Sequence, residues 1–481
     1  MVRPDQIRKL DEWRWEIPQD TRKDMKVPAI IYASHALLES MFRDKSLEQL
    51  INVATLPGIR VAAMLMPDAH EGYGFPIGGV AATRYPEGAI SPGGIGYDIN
   101  CGVRLLRTGL PAHEVMPRAG ELARELYRKV PSGVGRGGTV RLSQKQMNQV
   151  LEKGVAWAVE EGLGREEDLA YIESNGRLTE ADPACVSSHA KERGYDQLGT
   201  IGSGNHFVEV DRVSQLFDPE AAKAFGLEDD QVTILIHTGS RGLGHQTATD
   251  YIRRMLAEIN QYGILLPDRE LVCLPFNSAT GTEYFNAMSA SANFAWCNRE
   301  VITHEIREAW EAVFGKSAGP VSLVYDVAHN IAKIEEHNIN GEKEKLIVHR
   351  KGATRAFGPG FTGLPAAYRP IGQPVLIPVS MGTASYVLAG TQQSMESTFG
   401  TACHGAGRRL SRHAAKKIIS GKDLQDDLKK KGIHIQAGSL SGVAEEAPEA
   451  YKDVDLVVET IHEAGIATRV ARLVPMVVIK G

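Results

Sequence analysis

One carboxylate, one thiol and four imidazoles stand beside small or polar residues at the ends of apolar runs in this 481-residue chain. They are Asp98 and Cys101 in Asp98-Ile-Asn-Cys-Gly102, His206 in Gly204-Asn-His206, His237 in Ile236-His-Thr-Gly239, His329 in Ala328-His-Asn330 and His404 in Cys403-His-Gly-Ala-Gly-Arg408. All are metal-ligand types, and there are more of them than one four-coordinate ion takes; the set suits a two-metal site with one group left over. The bland alternative for each histidine is a surface or satisfied core residue, and for the cysteine a small buried hydrophobe. Ligands drawn from distant segments carry no compact signature, so spacing alone leaves both alternatives open.

The elements that must position these groups are short and β-branched. Val232-Thr-Ile-Leu-Ile236 ends at His237, Val321-Ser-Leu-Val-Tyr325 ends near His329, and His206 opens Phe207-Val-Glu-Val210. Histidines at strand ends are where α/β enzymes gather site residues. Asp98 and Cys101 follow the glycine-rich turn Ser91-Pro-Gly-Gly-Ile-Gly96 and precede the strand-like Val103-Arg-Leu-Leu106. Helical patterns run from about Ala112 to Lys129, from Ser143 to Glu161 and from Glu283 to Phe314, the last carrying the small-residue segment Ala287-Met-Ser-Ala-Ser-Ala292. Between the first two lies the glycine-rich Pro131-Ser-Gly-Val-Gly-Arg-Gly-Gly138. The expected fold is α/β (mixed α+β), with mixed sheets around a central cleft. Because the candidate ligands span Asp98 to His404, the expectation is one integrated domain over residues 1–481 with a peripheral helical insert at about 112–195.

Around His404 the chain reads as a phosphate cradle. Gly400, Gly405 and Gly407 let the backbone approach an anion, and Arg408-Arg-Leu-Ser-Arg-His-Ala-Ala-Lys-Lys417 is expected to form a basic helix whose N-terminus follows directly. An ordinary loop with a solvated basic face is the alternative.

Asp98-Ile-Asn-Cys-Gly102, Gly202-Ser-Gly-Asn-His206, His237-Thr-Gly-Ser-Arg-Gly242, Val327-Ala-His-Asn330, His349-Arg-Lys-Gly-Ala-Thr-Arg355 and His404-Gly-Ala-Gly-Arg408 resemble, in order, the signature blocks of the RtcB family of RNA-splicing ligases. The resemblance runs from about Pro67 to Lys480. It implies a GTP-dependent ligase that uses two Mn²⁺ ions to join an RNA 2′,3′-cyclic phosphate or 3′-phosphate end to a 5′-hydroxyl end. By resemblance, Asp98, Cys101 and His206 would hold one ion and Cys101, His237 and His329 the other, with Cys101 as bridging thiolate. A thiol of unperturbed pKa ~8.5 becomes a thiolate on contact with a dication, so that role is chemically open to it. His404 resembles the nucleophile that takes up GMP, attacking without a separate base; its other ring nitrogen needs an orienting partner that the sequence does not name.

The same resemblance assigns Asn205 to the α-phosphate region, Asn330 to phosphate, Glu209 to the guanine N1 and N2 edge and Lys480 to the base. It gives Ser380 and Ser385, in Pro378-Val-Ser-Met-Gly-Thr-Ala-Ser385, to guanylate, together with the loop Gly405, Ala406 and Gly407. Val379 departs from the pattern, which has glycine there: if the backbone at that position demands φ > 0, valine would strain the loop or shift it. Arg193 and Arg241 are assigned to an RNA terminal phosphate, Asp68 to the incoming 5′-hydroxyl, and Arg408 and Arg412 to RNA. An archease-type activating protein is the partner that the family implies.

Composition constrains the rest. The chain is 43% hydrophobic and 23% charged, enough for a large core. No stretch approaches ~20 consecutive apolar residues and the first residues lack a signal-peptide core, so no membrane contact and a cytoplasmic location are expected. Five scattered cysteines argue against a disulfide framework. A net charge of -5 is not the footprint of a general nucleic-acid binder, so any RNA contact must be local, through Arg193, Arg241, Arg350, Lys351, Arg355, Arg408 and Arg412. Two rivals use the same residues. A dinuclear metal-dependent phosphoesterase would need no histidine guanylate, and a GTP-regulated RNA-binding protein without chemistry is weakened by the absence of a GxxxxGK[ST] phosphate loop.

Overall fold

The computed structural model describes residues 2–133 and 135–481; Val134, in the glycine-rich stretch before Gly138, and Met1 lie outside the described residues. Helices and two large sheets are intermixed, the mixed α and β architecture expected from the alternating strand and helix patterns. One sheet has eight strands. Its path is Ser322–Ala328, Gly102–Pro111, Gln231–Thr238, Phe207–Leu216, Ala467–Lys480, Ser385–Gly390 and Pro374–Ile377, with His434–Ala437 pairing parallel to Ala467–Lys480 and all other neighbours antiparallel. The other has seven strands in the order Arg8–Lys9, Arg14–Ile17, Ala29–Tyr32, Ile59–His70, Ile77–Arg84, Glu342–Lys351 and Asn330–Ile339.

The central strand Gln231–Thr238 is buried at every position, which is why it reads as an unbroken apolar run rather than an alternating one. Its side chains still alternate between faces. Ile234 and Ile236 enter the large core that includes Met288, Trp296 and Ile302 of the long helix, while Leu235 packs on the opposite face with Val103, Val324 and Leu473. That helix, Ala279–Phe314, runs for 36 residues from a Ser278 cap whose hydroxyl accepts the Gly281 N–H at 3.0 Å. Residues 287–292 are all buried, so the small side chains let neighbouring elements approach closely.

The segment 112–195 folds as Ala112–Val115, Ala119–Lys129, Gln144–Lys153, Val155–Glu160 and several short turns of helix. The pattern from Ser143 to Glu161 is broken at Gly154, whose φ of +58° admits no side chain: a Cβ there would lie 2.2 Å from the Gly176 carbonyl oxygen. Leu122, Leu126, Met147, Val150, Leu151 and Trp157 of this segment share one core with the long helix.

His349 ties the turn that leads to Asp98 onto the seven-stranded sheet. Its Nε2 accepts the Ser91 backbone N–H at 3.3 Å, and its Nδ1 lies 3.3 Å from the Ala81 carbonyl, so the neutral ring with hydrogen on Nδ1 satisfies both. Burial lowers its pKa to about 4. A base whose folded pKa lies below its unfolded value of ~6.5 contributes stability above pH 6.5 that is lost as pH falls toward 4. Unfolding midpoints measured across pH 7 to 4 should therefore fall less steeply for His349→Asn than for the wild type; equal slopes would assign the acid lability elsewhere.

Candidate metal and nucleotide site

Four neighbouring strands of the eight-stranded sheet end at one place. Ala328 pairs with Gly102, Gly102 with Thr238, and His237 with both Val103 and Phe207. Register alone therefore delivers His329 just after Ala328, Cys101 just before Gly102, His237 at the end of its strand, and His206 just before Phe207. Strands ~4.8 Å apart bring these side chains within reach of common ions. Asp98 joins them through the turn that precedes Cys101, whose N–H donates to the Asp98 carbonyl at 2.9 Å.

The donor atoms fall into two groups that share a sulfur: Asp98, Cys101 and His206, and Cys101, His237 and His329. Cys101 Sγ is 3.4 Å from both His206 Nε2 and His237 Nε2, and His237 Nε2 is 3.4 Å from His329 Nε2. Ligands held at 2.0–2.3 Å around a tetrahedral ion sit roughly 3.4–3.7 Å apart, so the spacing fits a metal. Asp98 Oδ2 lies closer to His206 Nε2, at 2.8 Å. Burial pushes the pKa of His237 and His329 well below the ordinary imidazole value, which keeps both lone pairs free. Burial, and then the Asp98 carboxylate, push the Cys101 thiol well up, so only a dication would make it a thiolate near neutrality.

Buried ions hold these strand ends in place. Arg299, on the long helix, donates to the Asn100 and Thr238 carbonyls at 2.9 Å each and to Asn100 Oδ1 at 3.0 Å, so one guanidinium fixes the backbone beside Cys101 and His237. Asp326 receives Arg299 in a two-point contact at 2.8 and 2.9 Å and also Arg104 at 2.8 Å; Arg104 in turn contacts Glu300. Glu173, from the segment 112–195, accepts the Ala328 N–H at 2.8 Å through Oε2 and Lys333 Nζ at 2.6 Å through Oε1. It thereby braces the residue before His329. The sequence gives no sign of Arg299, Asp326 or Glu173, since nothing local marks a charge destined for the interior.

His404 follows the short strand Thr401–Cys403 and lies against the second donor group, its ring centroid 4.7 Å from that of His329. Asp68, at the end of the strand Ile59–His70 in the other sheet, is its missing partner. Asp68 Oδ2 is 2.6 Å from His404 Nδ1 and accepts the His404 backbone N–H at 3.1 Å. Asp68 is fully buried, so its carboxylate faces the histidine rather than solvent. Gly407 makes this approach possible: at φ +76° its Cβ would lie 1.9 Å from the Asp68 carbonyl oxygen. One expectation fails here. The basic helix begins only at Arg412, capped by Ser411, because Arg408 pairs with Tyr451 and turns the chain away first.

A family model described as "tRNA-splicing ligase RtcB" matches residues 49–481. The chain is 56% identical over 477 residues to the tRNA-splicing ligase RtcB of Thermococcus kodakarensis and 52% identical over 477 residues to that of Archaeoglobus fulgidus, in each case covering 99% of both chains. The chain belongs to the RtcB family. It is an RNA ligase.

In this RtcB chain Asp98, Cys101, His237, His329 and His404 open into one cavity whose wall also includes Asn205, Phe207, Asn330, Ser380, Gly405–Gly407, Arg412, Glu446 and Tyr451. Asn330 is already engaged, its Nδ2 donating to the Asp98 carbonyl at 3.1 Å and its Oδ1 accepting the Gly352 N–H at 2.9 Å. Ser385 is buried and closes the base of its loop, accepting the Val379 N–H and donating to the Val379 carbonyl at 3.0 and 2.8 Å. Val379 itself is not left-handed. The positive φ values in this loop fall on Met381 and Gly382, so valine costs no backbone strain there. Glu209 and Lys480 lie fully buried behind Phe207, whose ring centroid is 5.3 Å from Lys480 Nζ. Burial, and then Asp211, push the Glu209 carboxyl well above the usual range. Among the described residues Glu209 Oε1, Glu209 Oε2 and Lys480 Nζ have no hydrogen-bond partner.

Glu446, which sequence analysis passes over, gathers the cations here: Arg408 at 3.0 Å, Arg412 at 3.6 Å and Lys480 at 3.8 Å, with the Tyr451 hydroxyl donating to it. Burial opposes its ionisation, but Lys480 and Arg408 bring its pKa below the usual carboxylate value. Arg408 spends its donors on Glu446, Tyr451 and the carbonyls of Glu445 and Leu410. Arg350, Lys351 and Arg355 are likewise buried, with Arg350 paired to Glu335, so the local basic surface expected for RNA shrinks to Arg193, Arg241 and Arg412.

Removing the Glu173 carboxylate should loosen His329. We expect Glu173→Ala to lower the unfolding temperature by several degrees and to reduce the divalent metal retained per chain after gel filtration, with Glu173→Gln recovering much of the metal because its amide oxygen still accepts from Ala328. Unchanged metal content in the alanine variant would reject the bracing role. Cys101→Ser should lose most metal and ligation, whereas Cys403→Ser, at a fully buried thiol that packs as a small apolar group, should lose little of either. Metal analysis and gel-based ligation of the two variants decide this.

Proposed function

We propose that this chain is a GTP- and Mn²⁺-dependent ligase that joins RNA ends bearing a 2′,3′-cyclic phosphate or 3′-phosphate to RNA ends bearing a 5′-hydroxyl, acting on tRNA halves or broken RNA in the cytoplasm. The single observation that carries this reading is the juxtaposition of His404, oriented by a buried carboxylate, with two donor groups that share the Cys101 sulfur and line the same cavity through Asp98, Cys101, His237 and His329. Such metals, when bound, supply Lewis-acid stabilisation to phosphoryl oxygens during in-line displacement. Imidazole and thiolate donors suit Zn²⁺ or Co²⁺ equally, so the choice of manganese rests on the family resemblance. Asp98, Cys101, His206, His237 and His329 are the proposed ligands.

The chain's own residues account for the first step. Asp68 holds the hydrogen on His404 Nδ1, which leaves the lone pair on Nε2 to attack the α-phosphorus of GTP; the bond to the β-phosphate oxygen breaks and pyrophosphate leaves. The positive ring that results stays paired with Asp68. An RNA 3′-phosphate oxygen then attacks the same phosphorus and releases the histidine, giving RNA(3′)pp(5′)G, from which the 5′-hydroxyl displaces GMP. A cyclic phosphate has no free monoester and must first be opened by water. Glu209 and Lys480, whose buried polar atoms have no hydrogen-bond partner among the described residues, suit the donor and acceptor edge of guanine; Asn205, Asn330, Ser380, Ser385 and Gly405–Gly407 are the proposed surroundings of the nucleotide. Arg193, Arg241 and Arg412 are proposed for RNA phosphate and Asp68 for His404. Residues 112–195 share the main core, and the whole chain would act as one catalytic unit. An archease-type activator is the proposed protein partner.

Incubation with α-³²P-GTP and Mn²⁺ should give an acid-labile, alkali-stable labelled protein. His404→Ala should abolish the label and ligation while metal content stays intact, and Asp68→Asn should slow labelling roughly 10²–10⁴-fold by freeing the wrong ring nitrogen. An unlabelled wild type that still removes RNA 3′-phosphates would favour the dinuclear phosphoesterase.

A further inference from the structure

Beside the candidate ligand Asp98 lies a line of aromatic rings that the chemistry above does not use. Tyr97, the residue before Asp98, stacks on His245 with ring centroids 4.8 Å apart and planes at 22°, and Tyr73 tilts against the other side of the group at 5.2 Å from Tyr97. Tyr73 and Tyr97 are half-buried and rest one edge on the core, but His245 is exposed. Arg241 opens the helix Arg241–Glu258 four residues before His245 and donates to Thr200 and Gln197. Arg193, also exposed, donates to Gln246 Oε1 at 2.9 Å and borders the same surface. An aromatic stack edged by guanidinium groups at the rim of a phosphoryl-transfer site has the composition of a single-stranded nucleic-acid platform, where π-faces hold bases and arginines meet the backbone. Of the cations that the signature blocks offer to RNA, Arg350, Lys351 and Arg355 are buried and Arg408 is held by Glu446, whereas Arg193 and Arg241 border this rim.

We infer that Tyr97 and His245, backed by Tyr73, form a stacking platform for an unpaired base near the RNA end that is brought to Asp98. The inference rests on the reading that RNA ends meet beside the two donor groups. It predicts recognition of a base face rather than of a particular base, and hence tolerance of sequence at the junction.

The test measures equilibrium binding of short fluorescent single-stranded RNAs by anisotropy, without GTP, so it reads the same whether or not His404 is guanylylated. One series ends in a 3′-phosphate and the other begins with a 5′-hydroxyl; in each, an abasic residue replaces one of the three terminal nucleotides in turn. Wild type should bind one abasic RNA about tenfold more weakly than its intact parent, the loss of one stacking contact. His245→Ala should bind the intact RNA as weakly as wild type binds the abasic one and should not distinguish the two, while His245→Phe should restore the discrimination. His245 is exposed, so its replacement does not threaten folding. A His245→Ala variant that discriminates as well as wild type, or a wild type indifferent to the abasic residue at every position in both series, would overturn the platform.

Discussion

Arg299 is the interaction on which the rest of the site depends. Its guanidinium is buried on the long helix, neutralised by Asp326, and spends its remaining donors on the backbone of Asn100 and Thr238. Those two carbonyls flank the strand ends that present Cys101 and His237. A buried cation that lost Asp326 would be left uncompensated at a cost of roughly 3–5 kcal/mol, so the geometry of the donor groups and the stability of the core cannot be separated. The same network reaches Arg104 and Glu300, which ties the rigidity of the site to the interior of the helix layer.

The second organising contact joins the two sheets. The donor groups belong to the eight-stranded sheet, whereas Asp68 closes a strand of the seven-stranded one. His404 sits between them, its ring against His329 and its Nδ1 on Asp68. The nucleophile candidate is therefore placed by two independent frameworks, and its orientation is a property of how the sheets dock. Glu446 performs a similar gathering role on the nucleotide side, where it holds Arg408, Arg412, Lys480 and Tyr451 around one carboxylate.

The sequence made the strand ends legible because an unbroken β-branched run such as Val232–Ile236 has few alternatives to a buried strand, and a polar group at its end must face a site or solvent. The signature blocks made the family legible, and the long helix announced itself over more than eight turns. What stayed hidden depends on packing between distant segments. Asp68 meets His404 across 336 residues of chain, and Glu173 meets Ala328 across 155. A buried carboxylate and a surface one look alike in a sequence. The break at Gly154 and the late start of the helix at Arg412 were hidden for a related reason: a tertiary contact, with Gly176 in one case and Tyr451 in the other, overrides a helical pattern. Val379 shows the converse, a residue that looked wrong for its loop until the turn proved to pivot on Met381 and Gly382.

The chemistry turns on one sulfur that belongs to two candidate metal-binding groups at the meeting point of four strand ends. Titration of the metal-free protein with Co²⁺, followed by the sulfur-to-cobalt charge-transfer band and the visible d–d absorption, tests it most directly. Two equivalents should bind, with thiolate charge transfer perturbed by the second ion as well as the first and absent in Cys101→Ser. Saturation at one equivalent, or a charge-transfer band that survives Cys101→Ser, would contradict it.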